Sequence, residues 1–318
     1  MPEPTLSQIH VDTALTDFSL AYFQREGTYI APSIFPTVNV AQRSNKYFTY
    51  TKNDLMCTDA AKRAPASESA VRTYKLSTDS YHCERYSIAV DVPDEATANA
   101  DAALDPEGDA ARVTTQDLMI RMEKVWSAQA FTTGIWGTES TGTWNTSTGD
   151  PIGDIQTGIV TMLKETGYRP NTLVLGQEAW YTGLWSSTAI LARMPNDSAR
   201  IVTTDFIANL FGFDKVFVLG GAEFSGNEQS SENATTGAMA FVHEDHALLA
   251  YVDPGAGLRE ATAGKTFIWS GLTGGGGGIR TKRLELPKLS ATRVETDTAF
   301  DFKVVATDLG YLVAHTVS

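Results

Sequence analysis

A long amphipathic stretch at residues 109–131, DAARVTTQDLMIRMEKVWSAQAF, constrains this chain more than any other feature. Apolar side chains recur along it at helical spacing, which predicts one continuous helix with a single apolar stripe. At about 1.5 Å per residue the helix would be ~35 Å long, roughly twice the average for globular proteins. The stripe comprises Leu118, Met122, Val125 and Trp126, whereas Arg121, Glu123 and Lys124 lie outside it. Such a rod is suited to act as a strut between the parts of the chain on either side.

The first 42 residues are predicted to form an extended arm. Pro32 and Pro36 each fix φ and bias the preceding residue away from helix, so they favour an extended path. Tyr29, Ile34 and Phe35 make the segment too apolar for a solvated linker. We therefore expect the arm to lie against another surface.

Residues 43–92 are predicted to form a long β-hairpin. The segments KYFTYTK (46–52) and RYSIAVDV (85–92) have the composition of strands, and the second alternates strictly between apolar and polar residues. The sequence between them is polar and lacks enough large apolar residues for a core of its own. An isolated hairpin is marginally stable in water, so this one should need a partner surface.

The charge balance argues against a protein that wraps or reads nucleic acid. The chain has 25 Lys and Arg against 38 Asp and Glu, a net charge of -13, whereas such proteins carry a basic surface. Residues 91–109 contain seven acids and no Lys or Arg, and residues 46–75 contain six bases and three acids. The two segments could attract one another within a subunit or between copies, and two independent solvated surfaces are the alternative.

From residue 150 onward the sequence alternates helices with strands, which is typical of an α/β domain. Asp150 caps a helix that begins with Pro151 and ends at Gly167. Further helices are predicted at 177–185 and 205–211, the second capped by Thr204, and strands at 171–176, 215–219, 238–242 and 247–252. After residue 266 the pattern is nearly all β, and the tail is expected to pack beside the long helix. Residues 301–306 and 311–316 are predicted to pair around the turn 307–310.

Three groups of residues could carry chemistry, and each has a structural explanation. The HEDH sequence at 243–246 offers metal-ligand side chains, but it lies where two strands reverse and solvated polar residues are expected. The glycines at 274–278 precede a strand instead of a helix, which favours a flexible loop over a phosphate site. Cys57 and Cys83 would be opposite one another if the hairpin were centred near residue 70, but reducing conditions predict free thiols. We predict no catalytic residue, metal or cofactor.

Membrane insertion is not expected. No run approaches the roughly 18 consecutive apolar residues that a membrane span requires. The first residues, MPEPTLSQIHVD, lack the basic and apolar regions of a signal peptide. Both observations predict synthesis in the cytoplasm.

The order of these segments resembles the major capsid protein of tailed bacteriophages, the Hong Kong-type phage capsid fold. Residues 29–52 (YIAPSIFPTVNVAQRSNKYFTYTK) and 62–101 (KRAPASESAVRTYKLSTDSYHCERYSIAVDVPDEATANAD) resemble that family's N-terminal arm, extension loop and entry to the spine helix. Residues 171–184 (NTLVLGQEAWYTGL) and 205–221 (DFIANLFGFDKVFVLGG) resemble its axial domain. The resemblance covers nearly the whole chain.

The resemblance implies an α+β fold with five parts. They are an N-terminal arm (1–42), an extension loop formed by a β-hairpin (43–92), a peripheral domain (93–150) with the spine helix at 109–131, an α/β axial domain (151–265), and a β-rich return to the peripheral domain (266–318). It also implies a structural role without catalysis. Copies would assemble as hexamers and pentamers into an icosahedral shell that encloses double-stranded DNA without sequence-specific binding.

The same resemblance implies that arm and loop lie on neighbouring subunits. The candidate interface residues are Tyr29, Ile34, Phe35, Lys62, Arg63, Arg72, Glu107 and Asp109. A portal, a separate scaffolding protein and an optional decoration protein are the implied partners, and no covalent crosslink between subunits is predicted. The protein would be made in the host bacterial cytoplasm and reside in the virion.

Two other functions remain open on the sequence. One keeps the fold and makes the chain the shell of an encapsulin-type compartment. The other is a soluble hydrolase whose site, at the turn 243–246, uses His243, Asp245 or His246.

Overall fold

A computed structural model describes residues 28–50, 58, 60, 62–69, 71, 73, 76–99, 105–146, 148–194, 201–224, 239–253, 255, 260–273 and 278–317. Helices and strands are mixed throughout this part of the chain. In order the elements are α1 (Ala31–Ile34), β1 (Thr37–Val40), β2 (Ser44–Tyr50), β3 (Leu76–His82), β4 (Glu84–Pro93), α2 (Asp94–Ala98), α3 (Pro106–Ala130), β5 (Thr138–Thr141), α4 (Pro151–Thr166), β6 (Thr172–Gly176), a π-helix (Ala179–Leu184), α5 (Thr188–Leu191), α6 (Thr204–Phe211), β7 (Lys215–Leu219), β8 (Ala222–Phe224), β9 (Met239–Phe241), β10 (Ala247–Ala250), β11 (Gly264–Trp269), α7 (Ser270–Thr273), β12 (Ile279–Leu286), β13 (Ala291–Val304), a 3₁₀-helix (Thr307–Leu309) and β14 (Gly310–Ala314).

The predicted long helix is confirmed as α3, which begins three residues earlier than the sequence pattern indicated. The Asp105 side chain accepts the N–H of Gly108 at 3.0 Å, and Pro106 occupies the first turn, where its missing donor costs nothing. Of the predicted apolar stripe, Leu118, Met122 and Trp126 are buried and Val125 is half-buried, and the helix packs against β13 and β4. Glu123 is the exception, because the sequence placed it outside the stripe and it is 0% exposed.

The first five-stranded sheet has the order β1-β11-β13-β12, and β4 also pairs with β13. Strand β13 is 14 residues long and runs antiparallel to β11, β12 and β4. A hydrogen bond of 2.8 Å between Thr114 on α3 and Thr296 on β13 joins the helix to this sheet. The long helix and the long strand therefore form one unit.

The second sheet has the order β5-β14-β10-β6-β7. All five residues of β6 and of β14 are buried, as expected for central strands covered on both faces. Helix α4 is capped by Asp150 and ends at the left-handed Gly167, as predicted. Helix α6 also occurs as predicted, but Thr203, not Thr204, accepts the capping hydrogen bond, from the N–H of Phe206.

The predicted hairpin of residues 301–306 with 311–316 is wrong. Strand β13 remains in the first sheet, and the 3₁₀-helix then carries the chain into the second sheet. There β14 pairs antiparallel with β10 and parallel with β5. The short connection indicated local pairing, but the fully buried β14 needs a neighbour on each edge, and the second sheet supplies both. The return beside the long helix is therefore made by β13, not by the final strand.

The extension hairpin pairs differently from the sequence prediction. Strand β2 pairs with β3, with Ser44 opposite His82, whereas residues 85–92 lie within β4 in the first sheet. This register places Cys83 beside Arg43, whose carbonyl accepts the Cys83 N–H at 2.9 Å. Cys83 is a buried free cysteine, and burial raises the pKa of its thiol to about 12. Cys57 lies outside the described residues.

Asp297 is a buried carboxylate at the centre of the first sheet. Its side chain is 0% exposed, and Arg85, Arg280 and Lys282 lie 2.7, 3.0 and 2.8 Å from Oδ2. Burial alone would raise its pKa, but hydrogen bonds and charge from Arg280 and Lys282 lower the pKa of Asp297 to about 2. The ionised form thus holds β4, β12 and β13 together.

We expect this carboxylate to make unfolding pH-dependent. Its folded pKa lies below the ordinary value of 3.8, so the stabilisation is complete above that value and is lost as the pH falls through about 2. The shift corresponds to a loss on the order of 2 kcal/mol. Urea unfolding of Asp297→Asn should show a weaker pH dependence than the wild type across this window. An unchanged slope would contradict the role of Asp297. The matched control is Asp109→Asn, at a partly exposed carboxylate with one surface partner.

Candidate assembly surfaces and the HEDH turn

The N-terminal segment packs inside its own subunit. Ile34 and Phe35 are 2% and 1% exposed, and the ring of Phe35 lies 6.0 Å from that of Trp126 on α3. Gly264 lies directly under the Phe35 ring, where a Cβ atom would come within 2.6 Å of it. The expectation that this apolar segment lies on another surface is thus met within the chain. The predicted interface role of Ile34 and Phe35 is replaced by a place in the subunit core.

The segment is also less extended than its prolines suggested. Residues Ala31–Ile34 form a single helical turn before β1 pairs parallel with β11. Pro32 lies in the first turn of this helix, where a proline removes no intrahelical hydrogen bond. Tyr29 precedes the turn and is half-buried, so part of its surface remains available.

Glu123 and His243 form a buried pair that joins three parts of the chain. Glu123 Oε2 lies 2.6 Å from His243 Nε2, and each side chain is 1% exposed. The other carboxylate oxygen of Glu123 accepts the N–H of Ala31 at 2.8 Å. The rings of Trp126 and Phe131 meet the imidazole edge to face, at 5.8 and 6.1 Å. The pair therefore connects the N-terminal segment, the long helix and the turn before β10.

The HEDH turn is not the solvated reversal that the sequence predicted. His243 is 5% and His246 0% exposed, because both imidazoles pack against the end of the long helix. Burial lowers the pKa of His246, although the nearby carboxylates of Glu244 and Asp245 oppose the shift. The sequence offered no third ligand, but the structure brings His315 beside Asp245 and His246.

The body of the extension hairpin presents charge and apolar surface to solvent. Lys62 and Arg63 are exposed, and the Arg63 guanidinium donates to the backbone carbonyl of Ser67. Phe48 is 65% and Val71 92% exposed, so the hairpin also offers apolar side chains to a partner surface. Arg72 lies outside the described residues.

The acidic segment finds bases elsewhere in the same subunit. Asp91 accepts two hydrogen bonds from Arg293, at 2.6 and 2.8 Å, and these lower the pKa of Asp91. Glu107 lies 2.7 Å from Arg283, and Asp109 lies 3.7 Å from Arg112 in the same helix. Among the described residues these acids are therefore paired with arginines of the first sheet and the long helix, not with the basic hairpin.

Two other sequence features are only partly described. Of the glycine loop, residues 274–277 lie outside the described residues, and Gly278 adopts a positive φ of 83°. In the described part of the chain no helix combines the length and the hydropathy required to cross a membrane.

Comparisons with known proteins point to one fold. No family model matches the chain. The major capsid protein of Burkholderia phage BcepMu is 22% identical over 310 residues, with 96% of each chain covered. A phage-related protein from Bordetella bronchiseptica has a similar crystal structure, with a TM-score of 0.68, 19% identity and 96% and 97% of the two chains covered.

Two further structures come from particles of different kinds. One is from Mycobacterium phage Adephagia, with a TM-score of 0.56, 12% identity and 98% of both chains covered. The other is an encapsulin complex from Synechococcus elongatus, with a TM-score of 0.56, 11% identity and 96% and 95% coverage. The chain thus has the fold of tailed-phage capsid proteins over nearly its full length, as the sequence resemblance implied.

Proposed function

We propose that this chain is the major capsid protein of a tailed bacteriophage, a structural protein that assembles into an icosahedral shell around double-stranded DNA. The observation that carries the proposal is the full-length match to a phage major capsid protein, with 96% of each chain covered. The hairpin supports it independently, because exposed apolar residues on an arm without its own core are stabilised when a neighbouring subunit covers them.

Within this proposal, the five parts of the chain have different roles in assembly. The spine helix and the first sheet would form the peripheral domain, and residues 151–265 the axial domain. Tyr29, Lys62, Arg63 and Arg72 remain the proposed contacts with neighbouring subunits. Glu107 and Asp109 would contribute through the acidic face that includes their intrasubunit partners. A portal and a separate scaffolding protein are further partners, and the protein would function in the virion after synthesis in the host cytoplasm.

An encapsulin-type compartment is a second candidate, because the Synechococcus elongatus encapsulin shares the fold over 96% of this chain. The two candidates differ in what the shell encloses. Particles formed with the other virion proteins present should contain double-stranded DNA in the first case and protein cargo in the second.

A hydrolase at the HEDH turn is the alternative from a different class. A cleft of about 610 Å³ borders the turn and is lined in part by Glu178, Met239, Phe241 and His243. However, the His243 imidazole is committed to Glu123 and nearly fully buried. Absence of ester or peptide hydrolysis by the wild-type chain would leave this alternative without support.

Electron microscopy of the purified chain tests the proposal directly. Expressed alone and with its neighbouring genes, the chain should form closed shells or flat capsomer rings, and light scattering after size exclusion should report the matching mass. A monomer or dimer that persists under both conditions would refute the structural role.

A further inference from the structure

Asp245, His246 and His315 form a cluster that the proposed capsid role does not use. Each residue offers one ligand atom, and these atoms all lie within 4.8 Å of one another. His246 directly precedes β10 and His315 directly follows β14, and the two strands are antiparallel neighbours with Ala247 opposite Val313. The sheet therefore brings together residues that are 69 positions apart in the sequence.

One oxygen of the Asp245 carboxylate is held by a backbone hydrogen bond, and the other lies near both imidazoles. Asp245 Oδ2 accepts the N–H of Val317 at 3.0 Å. Asp245 Oδ1 instead faces both imidazoles, 3.6 Å from His246 Nδ1 and 3.9 Å from His315 Nδ1. The Asp245 backbone carbonyl also accepts hydrogen bonds from Thr316, which fixes the turn against the C-terminal residues.

The protonation of His246 is set by its surroundings. Its Nδ1 accepts the N–H of His315 at 3.2 Å, so Nδ1 carries the lone pair and Nε2 carries the proton in the neutral ring. Glu244 Oε2 lies 2.8 Å from that Nε2, but the two groups are not aligned for a hydrogen bond. A rotation of the exposed Glu244 side chain would supply the carboxylate that orients metal-binding histidines in proteins.

We propose that Asp245, His246 and His315 bind a divalent transition metal ion such as Zn²⁺. Two imidazole nitrogens and one carboxylate oxygen are a ligand set that Zn²⁺ accepts. Ligand atoms at about 2.0–2.1 Å from a tetrahedral Zn²⁺ are ~3.4 Å apart, so the separations of 3.6 and 3.9 Å from Asp245 must shrink by a few tenths of an ångström. The two imidazole nitrogens, which lie within 4.8 Å of one another, must also approach, and the 63% exposed His315 side chain is the one that would move.

Metal binding would replace the long hydrogen bond from the His315 N–H to His246 Nδ1 by a coordination bond. It would also fasten residues 315–317 to the turn before β10, so the bound ion should stabilise the second sheet. The remaining coordination position is left to water, as expected for a site with three protein ligands. This inference does not depend on shell formation.

The test is a zinc titration of the full chain, purified without a histidine tag and treated with a chelator. We expect calorimetry to show one ion per chain, and the thermal unfolding temperature to rise with Zn²⁺ concentration. Co²⁺ should bind in its place and give the visible absorption of a tetrahedral site. Mg²⁺ should not bind, because it prefers an octahedral set of oxygen ligands.

Two variants and one control locate the ion. His315 has a φ of 52°, a conformation that Asn tolerates better than most residues, so His315→Asn should fold normally and weaken Zn²⁺ binding by about tenfold or more. Asp245→Asn keeps an acceptor for Val317 and should weaken it as well. His82→Asn, at an exposed histidine on β3, should leave the affinity unchanged. Absence of Zn²⁺ binding to the wild type, equal affinity in both variants, or Mg²⁺ binding of similar strength would overturn the proposal.

Discussion

Replacing Glu123 by Ala should destabilise the folded subunit by about 2–5 kcal/mol, because two buried groups lose their hydrogen-bond acceptor and each unsatisfied group costs about 1–3 kcal/mol. The substitution leaves the His243 imidazole and the Ala31 N–H buried without their shared acceptor. It also opens a cavity next to Trp126, which is fully buried. Urea unfolding of the dissociated subunit, followed by tryptophan fluorescence, measures the change in the free energy of unfolding.

Lys124 provides the matched control for this prediction. It is the next residue of the same helix, but its side chain is 44% exposed and its ion pair with Glu223, at 2.7 Å, lies at the surface. Lys124→Ala should therefore cost at most about 1 kcal/mol. A double-mutant cycle that combines Glu123→Ala with His243→Ala should give a coupling energy above ~1 kcal/mol, since these two side chains are in direct contact. If Glu123→Ala and Lys124→Ala lower the free energy of unfolding equally, the buried contact of Glu123 with His243 adds no more stability than a surface ion pair.

The contact between Glu123 and His243 could not be predicted from the sequence. Helical periodicity identified α3 and its stripe correctly, because a local repeat of apolar residues specifies both helix and face. The same periodicity placed Glu123 on the solvent side, since a charged residue off the stripe is normally exposed. Its partner His243 is 120 residues away, and no local pattern reports such a contact.

Strand pairing likewise depends on residues that are distant in the sequence, so local patterns do not predict it. The segments that became β2, β4, β12, β13 and β14 were recognisable as strands from their composition. Their partners were not, because pairing depends on which edges remain free after the sheets form. The predicted hairpin at 307–310 failed for this reason, and so did the pairing of residues 46–52 with residues 85–92. The cluster of Asp245, His246 and His315 likewise depends on the pairing of β10 with β14.

The resemblance of segment order predicted more of the fold than the individual elements did. The prolines, the polar loop, the acidic segment and the long helix follow one another in the order of the capsid family, and this order does not depend on which strands pair. It also misassigned two residues, since Ile34 and Phe35 are core residues of the subunit. An apolar arm packed on its own subunit and one packed on a neighbour have the same composition.

Reversing the charge of the hairpin, with Lys62→Glu and Arg63→Glu together, should abolish or strongly reduce shell assembly while leaving the subunit folded. Both residues are exposed on a segment without its own core, so the free subunit loses little when they change. Within a shell the same positions would face a neighbouring subunit, where like charges placed opposite one another cost several kcal/mol per contact. Because every subunit repeats the contact, small losses at each interface add up over the whole particle.

Particle yield by sedimentation and electron microscopy measures assembly, and circular dichroism with urea unfolding measures folding. The matched control exchanges the two residues, Lys62→Arg with Arg63→Lys, which preserves the charge and changes the side-chain geometry. If charge complementarity drives the contact, the exchange variant should assemble normally and the reversed variant should remain as folded subunits or capsomers. High salt should weaken the wild-type assembly as well, since exposed charges are screened beyond about 10 Å at 0.1 M ionic strength. Wild-type particle yield from the reversed variant would exclude the hairpin charges from the assembly interface and leave its exposed apolar residues, Phe48 and Val71, as the contacts to test.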